Sequence, residues 1–226
     1  MSEDIIEFWS PSQMPLGAFI HPKDQIVIDR IQNRFHKDCL PASFYGPLLN
    51  ARVVLLFLSL GYTEFDSRHA ETAKGRNYYE RQRRGTANLP TKEEHPLVHQ
   101  WLTRILRQFD LEATSVGDKL AILNICAYHS RKFHDFHMLT TLPSSRAALD
   151  YAQFVLFPQA EAGERVMVCL RTHRLWGLEK GKCYGAGLFA PSATPGGIMH
   201  HIPIREHVIR SVRSAVGAAI DATTPA

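Results

Sequence analysis

The feature that most limits how this chain can fold is a run with almost no polar residue, ARVVLLFLSL, from Ala51 to Leu60. A strand with one wet face alternates apolar and polar positions, whereas a strand covered on both faces is apolar throughout. The run therefore predicts a strand inside a parallel sheet, sandwiched between two layers. KLAILNICAY from Lys119 has the same character, ERVMVCLRT predicts a third strand and YGAGLFAPS from Tyr184 a short fourth. Helical patterns lie between them. Leu97, Val98, Trp101, Leu102, Ile105, Leu106 and Phe109 recur at helical spacing, and SSRAALDYAQFVLF predicts a helix capped by Ser144 and stopped by Pro158. A helix from Pro22 would carry Ile28, Ile31 and Phe35, and a last one, about Arg205 to Ile220, would stack Val208, Val212 and Val216. The expected fold is α/β, a three-layer sandwich with a central, mostly parallel four-stranded sheet. One domain is expected over 1–226, with an N-terminal arm to about residue 42 and a basic insertion at about 67–95.

Charge narrows the partners only through its location. Lys and Arg number 26 against 22 Asp and Glu, a formal +4, but KGRNYYERQRR alone holds Lys74, Arg76, Arg81, Arg83 and Arg84 against Glu80. Basic groups interleaved with Tyr78 and Tyr79 suit phosphate contact and base stacking. The four cysteines are widely separated with no C-x-x-C pair, and the twelve histidines match no zinc spacing, so neither a metal nor a cofactor is expected. The acidic start MSEDIIEF is unlike a signal peptide, and no apolar run is long enough to span a bilayer. A cytoplasmic protein without a membrane partner is expected.

In parallel α/β sheets ligands bind beyond the carboxyl ends of the strands. The four exits are LSLGYTEFD, NICAYHS, LRTHRLWG and LFAPSATPGG. They offer Ser59, Tyr62, Glu64 and Asp66 around Gly61; Asn124, Tyr128 and His129; Arg171, His173, Arg174 and Trp176; and Ser192 with Thr194. Such acids, amides and rings can stack on a planar ring, read its edge and orient water. Arg131 and Lys132, just past the second exit, and Arg174 in the third are read as phosphate contacts.

The order of these segments resembles the uracil-DNA glycosylase superfamily, in a divergent bacterial branch. FYGPLLNARVVLLFLSLGYTEFD is similar to its first motif, ILNICAYHS to its middle strand, and VMVCLRTHRLWG with GLFAPSATPGG to its closing segment, over about residues 43 to 197. The resemblance implies a base-flipping enzyme acting on DNA, which extrudes a nucleotide into a pocket and hydrolyses its N-glycosidic bond. Carried over, water orientation falls on Ser59, reading of the base edge on Asn124 and the closing turn on the segment from Ala190. The family pattern has Asn or Asp where Ser59 stands and His where Ala190 stands. Asp66 or Glu64 would then activate water, and His129 or one of His200 and His201 would replace the histidine. Tyr62, Asn124, Tyr128 and Ser192 are the expected base contacts. The smaller residues at Ser59 and Ala190 imply a larger or modified base, including the hypermodified pyrimidines of phages. With no lysine at a strand exit, the expected enzyme is monofunctional, forms no Schiff base and acts as a monomer. The alternative is a catalytically decayed module that only binds nucleic acid. Another α/β hydrolase or nucleotide-processing enzyme is disfavoured by the lack of a G-x-x-x-x-G-K-[ST] loop and a G-x-S-x-G elbow.

Overall fold

Six strands form one sheet: β1 (Phe44–Tyr45), β2 (Val53–Phe57), β3 (Leu120–Asn124), β4 (Val166–Cys169), β5 (Lys182–Tyr184) and β6 (Leu188–Ala190), in the order β1-β3-β2-β4-β6-β5. They belong to a computed structural model that describes residues 4–201 and 203–218. Around the sheet lie α1 (Ile5–Phe8), α2 (Pro22–Arg30), α3 (Glu64–Glu71), α4 (Ala73–Gln82), α5 (Pro96–Leu106), α6 (Ala113–Val116), α7 (Pro143–Tyr151), α8 (Phe157–Glu161) and α9 (Pro203–Val216). The sheet is thus six-stranded and mixed, not four-stranded. The four expected strands are its parallel centre, β3-β2-β4-β6, and β1 and β5 add antiparallel edges to β3 and β6. A two-residue strand and a partly exposed three-residue strand are too short to show any periodicity, which is why the edges escape a sequence reading.

The apolar runs divide by parity, as a pleated strand requires. Val53, Leu55, Phe57, Leu120, Ile122, Val168 and Phe189 share one core with α5, α6 and α9. Val54, Leu56, Ala121, Leu123, Met167, Cys169, Leu188 and Ala190 share the other with α1, α2, α7 and α8. The crossover from β2 to β3 and the crossover from β3 to β4 therefore cover opposite faces. β2, paired on one edge with β3 and on the other with β4, is where the winding reverses. A crevice is expected beyond the carboxyl ends at such a point.

Four local features differ from the periodicity reading, the first being that α2 ends at Arg30, so that Ile31 and Phe35 lie beyond it. Ser144 is not the cap of α7; Leu142 precedes the helix, and the Ser144 N–H donates to Asp24 Oδ1 at 2.9 Å, so a carboxylate from α2 satisfies the helix start. Pro158 does not stop the helix, because residues Ala152–Leu156 widen into a π-turn before α8. A proline lacks an N–H and crowds the carbonyl one turn back, and the wider turn removes both conflicts. The last helix ends at Val216, and positions 219 and 220 lie outside the described residues.

The N-terminal arm is part of the core: Ile5, Phe8, Trp9 and Met14 are buried. Asp24 is its deepest anchor, accepting from the Tyr128 hydroxyl at 2.5 Å as well as from Ser144. Tyr128 is consequently a core residue on the face away from the crevice, not a base contact. Replacing Asp24 with Ala leaves two buried donors unpaired and should lower the unfolding free energy by about 2–4 kcal/mol in denaturant titrations. Tyr128→Phe should cost about 1–3 kcal/mol while leaving nucleic-acid affinity unchanged.

Candidate functional site

A cleft of about 380 Å³ opens where the winding predicts it, bounded by the exit of β2, the first turn of α5, the end of β4 and the turn at Pro195 and Gly196. The β2 exit runs without regular secondary structure from Ser59 to an extended Thr63, the residue before α3. Gly61 lies outside the left-handed region, and a Cβ there would meet nothing within 4 Å, so this glycine is not required by the turn. Its carbonyl matters instead, accepting from His129 Nδ1 at 2.8 Å. The glycine that the cleft does require is Gly197, at φ +81°, where a Cβ would lie 2.7 Å from the Phe57 ring.

Asp66 occupies the third position of α3. Its Oδ2 accepts from the Thr63 N–H at 2.7 Å and the Thr63 hydroxyl at 2.9 Å, a capping arrangement that fixes the carboxylate at the positive end of the helix. Oδ1 lies 4.0 Å from His95 Nε2. Because His95 Nδ1 accepts from the Val98 N–H as the cap of α5, the proton of the neutral ring sits on Nε2, on the side of Asp66. His69 packs against His95 with ring centroids 4.4 Å apart, and its Nε2 is buried without a hydrogen-bond partner. Behind Asp66 these rings and His129 line a small, partly open pocket of about 30 Å³, enough for one water. Asp66 and His129 line both this pocket and the cleft.

Burial holds these imidazoles neutral. It drives His95 down to about 3, with repulsion from His69 and His129 adding to it. It lowers His69 and His129 as well, although the Asp66 carboxylate opposes the shift in both. His129 gives its Nδ1–H to the Gly61 carbonyl, and the Leu40 backbone is a second hydrogen-bonding neighbour of the ring. Among the described residues no group of three or more His, Cys, Asp or Glu is disposed to hold a metal ion.

Three arginines rim the cleft. Arg104 comes from α5 and Arg131 from the segment after β3; Arg171 leaves the end of β4 and donates to the Pro195 carbonyl. Thr172, immediately beyond, takes φ 55°, ψ 42°, which costs a β-branched residue on the order of 1–2 kcal/mol and bends the chain away just after Arg171. Trp101, half-buried, forms a wall, its ring edge-on to Phe57 at 5.0 Å.

Of the expected site residues, Ser59, Tyr62, Asp66, His129 and Arg131 meet in the cleft. Tyr62 already has a stacking partner, His36, with centroids 3.3 Å apart and planes within 4°, and the Arg131 guanidinium lies 5.4 Å from its ring. Glu64 is outside: its exposed carboxylate lies 3.9 Å from Arg131 on the outer surface. Asn124 is fully buried, donates to the Ala42 carbonyl at 2.9 Å and does not line the cleft; its Oδ1 has no partner. Ser192 and Arg174 do not line it, and Lys132 stands exposed beside Arg131. Ala190 points into the core opposite, so its small size opens no space in the pocket. His200 and His201 are exposed and off the cleft, leaving His129 as the histidine within it.

The basic segment also resolves differently. Arg83 is buried, donates to the Met14 carbonyl at 2.7 Å and pairs with Glu80 at 2.7 Å, so it binds the arm rather than phosphate. Arg81 pairs with Glu94, and Tyr78 and Tyr79 are core residues. α4 runs from beside His69 to the amino end of β2, where the Gly85 carbonyl accepts the Leu49 N–H; this carries Arg84 to the far end of the sheet. Lys74 and Arg76 are exposed but line neither the cleft nor its mouth. Trp101, Arg104 and His95 are the residues sequence reasoning missed, while Arg171 was offered by the third exit and does line the cleft. Trp101 hid within the apolar stripe of α5, and His95 was signalled only by standing before Pro96 at a helix start.

Comparisons of the chain with protein-family models, with curated proteins and with solved structures find no match. The functional reading therefore rests on the geometry. One consequence of that geometry concerns pH. An unfolded histidine titrates near 6.5, so the unfolded chain takes up protons that buried His95, His69 and His129 refuse. Stability should be complete above about pH 6.5 and fall as pH drops below it, by up to ~1.4 kcal/mol per pH unit for each histidine. His95→Asn, which keeps a capping side chain, should reduce that slope by about one proton in denaturant titrations at several pH values.

Proposed function

We propose that this chain is a DNA-binding glycosylase that hydrolyses the N-glycosidic bond of a nucleotide drawn out of the strand. The observation that carries the reading is the meeting of Asp66 and neutral His129 at the floor of a cleft rimmed by Arg104, Arg131 and Arg171 and walled by Trp101. An aromatic wall receives a planar base, and guanidinium groups receive its phosphates. A carboxylate with one oxygen held by Thr63 and the other beside His95 keeps an acceptor for a water bound between them. In this reaction the C1′–N bond breaks with its electron pair passing to the base, the oxygen of an Asp66-oriented water bonds C1′, and Asp66 accepts the water's proton. The arginines offset the negative charge of the departing base, which is finally protonated by solvent.

The cleft volume falls within the range of sites for small ligands, and its wall carries small residues at Ser59, Gly61 and Gly196. We assign it to a modified pyrimidine with an enlarged substituent rather than to uracil. Of the positions aligned with the superfamily pattern, Ser59 lines the cleft while Asn124, Ala190 and Ser192 do not, so the proposal of a monomer with neither metal nor cofactor rests on Asp66, His129 and the arginine rim. A module that only binds nucleic acid is the competing reading, favoured by the engagement of Asp66 Oδ2 in the helix cap.

Incubation with single strands and duplexes carrying uracil, hydroxymethylcytosine or its glucosylated form should yield alkali-labile abasic sites from at least one. Asp66→Asn, which retains a capping side chain, should reduce excision by at least ~100-fold with binding preserved. Absence of abasic product from every probe would remove the glycosylase reading and leave the binding module. Trp9 and Trp176 are buried while Trp101 borders the cleft, so nucleic-acid binding should quench tryptophan emission in the wild type and not in Trp101→Phe.

A further inference from the structure

The outer face of α5 is unusual for a solvated helix. Its buried stripe is Val98, Leu102, Ile105 and Leu106, and a solvated opposite face ordinarily mixes both signs of charge. Here the stretch from His95 to Phe109 contains no acid at all. A groove of about 800 Å³ runs along this face, lined by Lys92, His99, Gln100, Thr103, Arg104 and Arg107, with Trp101 at its side. Positions 100, 103, 104 and 107 follow helical spacing, so these side chains form one continuous strip. Lys92, Arg104 and Arg107 are exposed, and among the described residues no carboxylate pairs with them in an ion pair. Glu93, exposed beside Lys92, does not line the groove, but its carboxylate lies within the field of Lys92 and His99 at the groove's Lys92 end, leaving Arg104 and Arg107 as the cations with no acid beside them. The groove is continuous with the cleft, since Leu97, Trp101 and Arg104 belong to both.

We infer that this face of α5 is the phosphate track along which the nucleic-acid strand enters the cleft. The inference rests on the nucleic-acid reading of the cleft and moves the strand contact from α4, where the basic run lies in the sequence, to α5. Charge complementarity selects the occupant: a helix face whose cations, Arg104 and Arg107, have no acid between them, flanked by Gln100 and Thr103 as neutral donors, suits a repeating anion. From Leu97 to Arg107 the helix extends ~15 Å, a span of about four nucleotides at ~3.4 Å each. Arg104 stands where track and cleft join, and Trp101 is placed to stack the base that turns between them.

The test is the salt dependence of DNA binding, read by fluorescence anisotropy with labelled unmodified oligonucleotides, single-stranded and duplex, between about 50 and 200 mM salt. The Lys92→Ala/Arg107→Ala protein leaves every cleft residue in place. Its slope of log affinity against log salt should fall by ~1.4 for single strands or ~1.8 for duplex, and the probe with the full drop identifies the form of strand bound. The control is Arg52→Ala/Arg84→Ala, which removes the same charge at the amino ends of the strands, and its slope should match the wild type. An unchanged slope in the α5 protein, or an equal drop in both, overturns the track while leaving the cleft reading intact. Failure of the wild-type protein to bind either oligonucleotide overturns both.

Discussion

β2 is the constraint on which the remainder of this fold depends. It is buried on both faces and bonded in parallel on both edges, so no polar side chain is tolerated until Leu58 has passed. Its neighbours follow it in sequence on opposite sides, and the two layers of helices must part above its end. The cleft is the space left by that parting. Fixed walls come with it: Ser59 to Thr63 continue from β2, Arg171 from β4, and Gly197 backs onto the last ring of β2, Phe57.

Within the cleft the electrostatics are set by burial more than by pairing. Asp66 is the acid on the floor, and around it stand rings that burial keeps uncharged. A neutral ring can give or take a hydrogen bond without cancelling the charge of the carboxylate, which a protonated neighbour would do. Positive charge is held on Arg104, Arg131 and Arg171 around the same cleft.

The centre of the fold was legible in the sequence because a doubly covered strand leaves an unambiguous record, a run of apolar residues. The edges were not, since β1 and β5 are too short to have a period. The site was legible in part. Ser59, Asp66 and His129 were found because polar residues at a strand exit are exposed to the crevice by topology. Asn124 and Tyr128 meet the same description and are buried, because their partners, Ala42 and Asp24, are 82 and 104 residues away and leave no local trace. The basic run misled for a related reason: charge along a chain does not say which way a helix points, and α4 spends Arg83 on the core. Trp101 shows the converse, a residue counted toward a core stripe that stands at its border.

The buried carboxylate of Asp24 has a bearing on the order of folding. Its two partners, 104 and 120 residues further along, come together only after β3 and the helix following it are in place. Contacts of such separation carry a large loop-closure cost and form late. The arm, although synthesised first, is therefore anchored only once chain from as far along as Ser144 is available. A nascent chain interrupted before Ser144 would hold Ile5, Phe8 and Trp9 without their cover, giving an intermediate with an exposed apolar N-terminus.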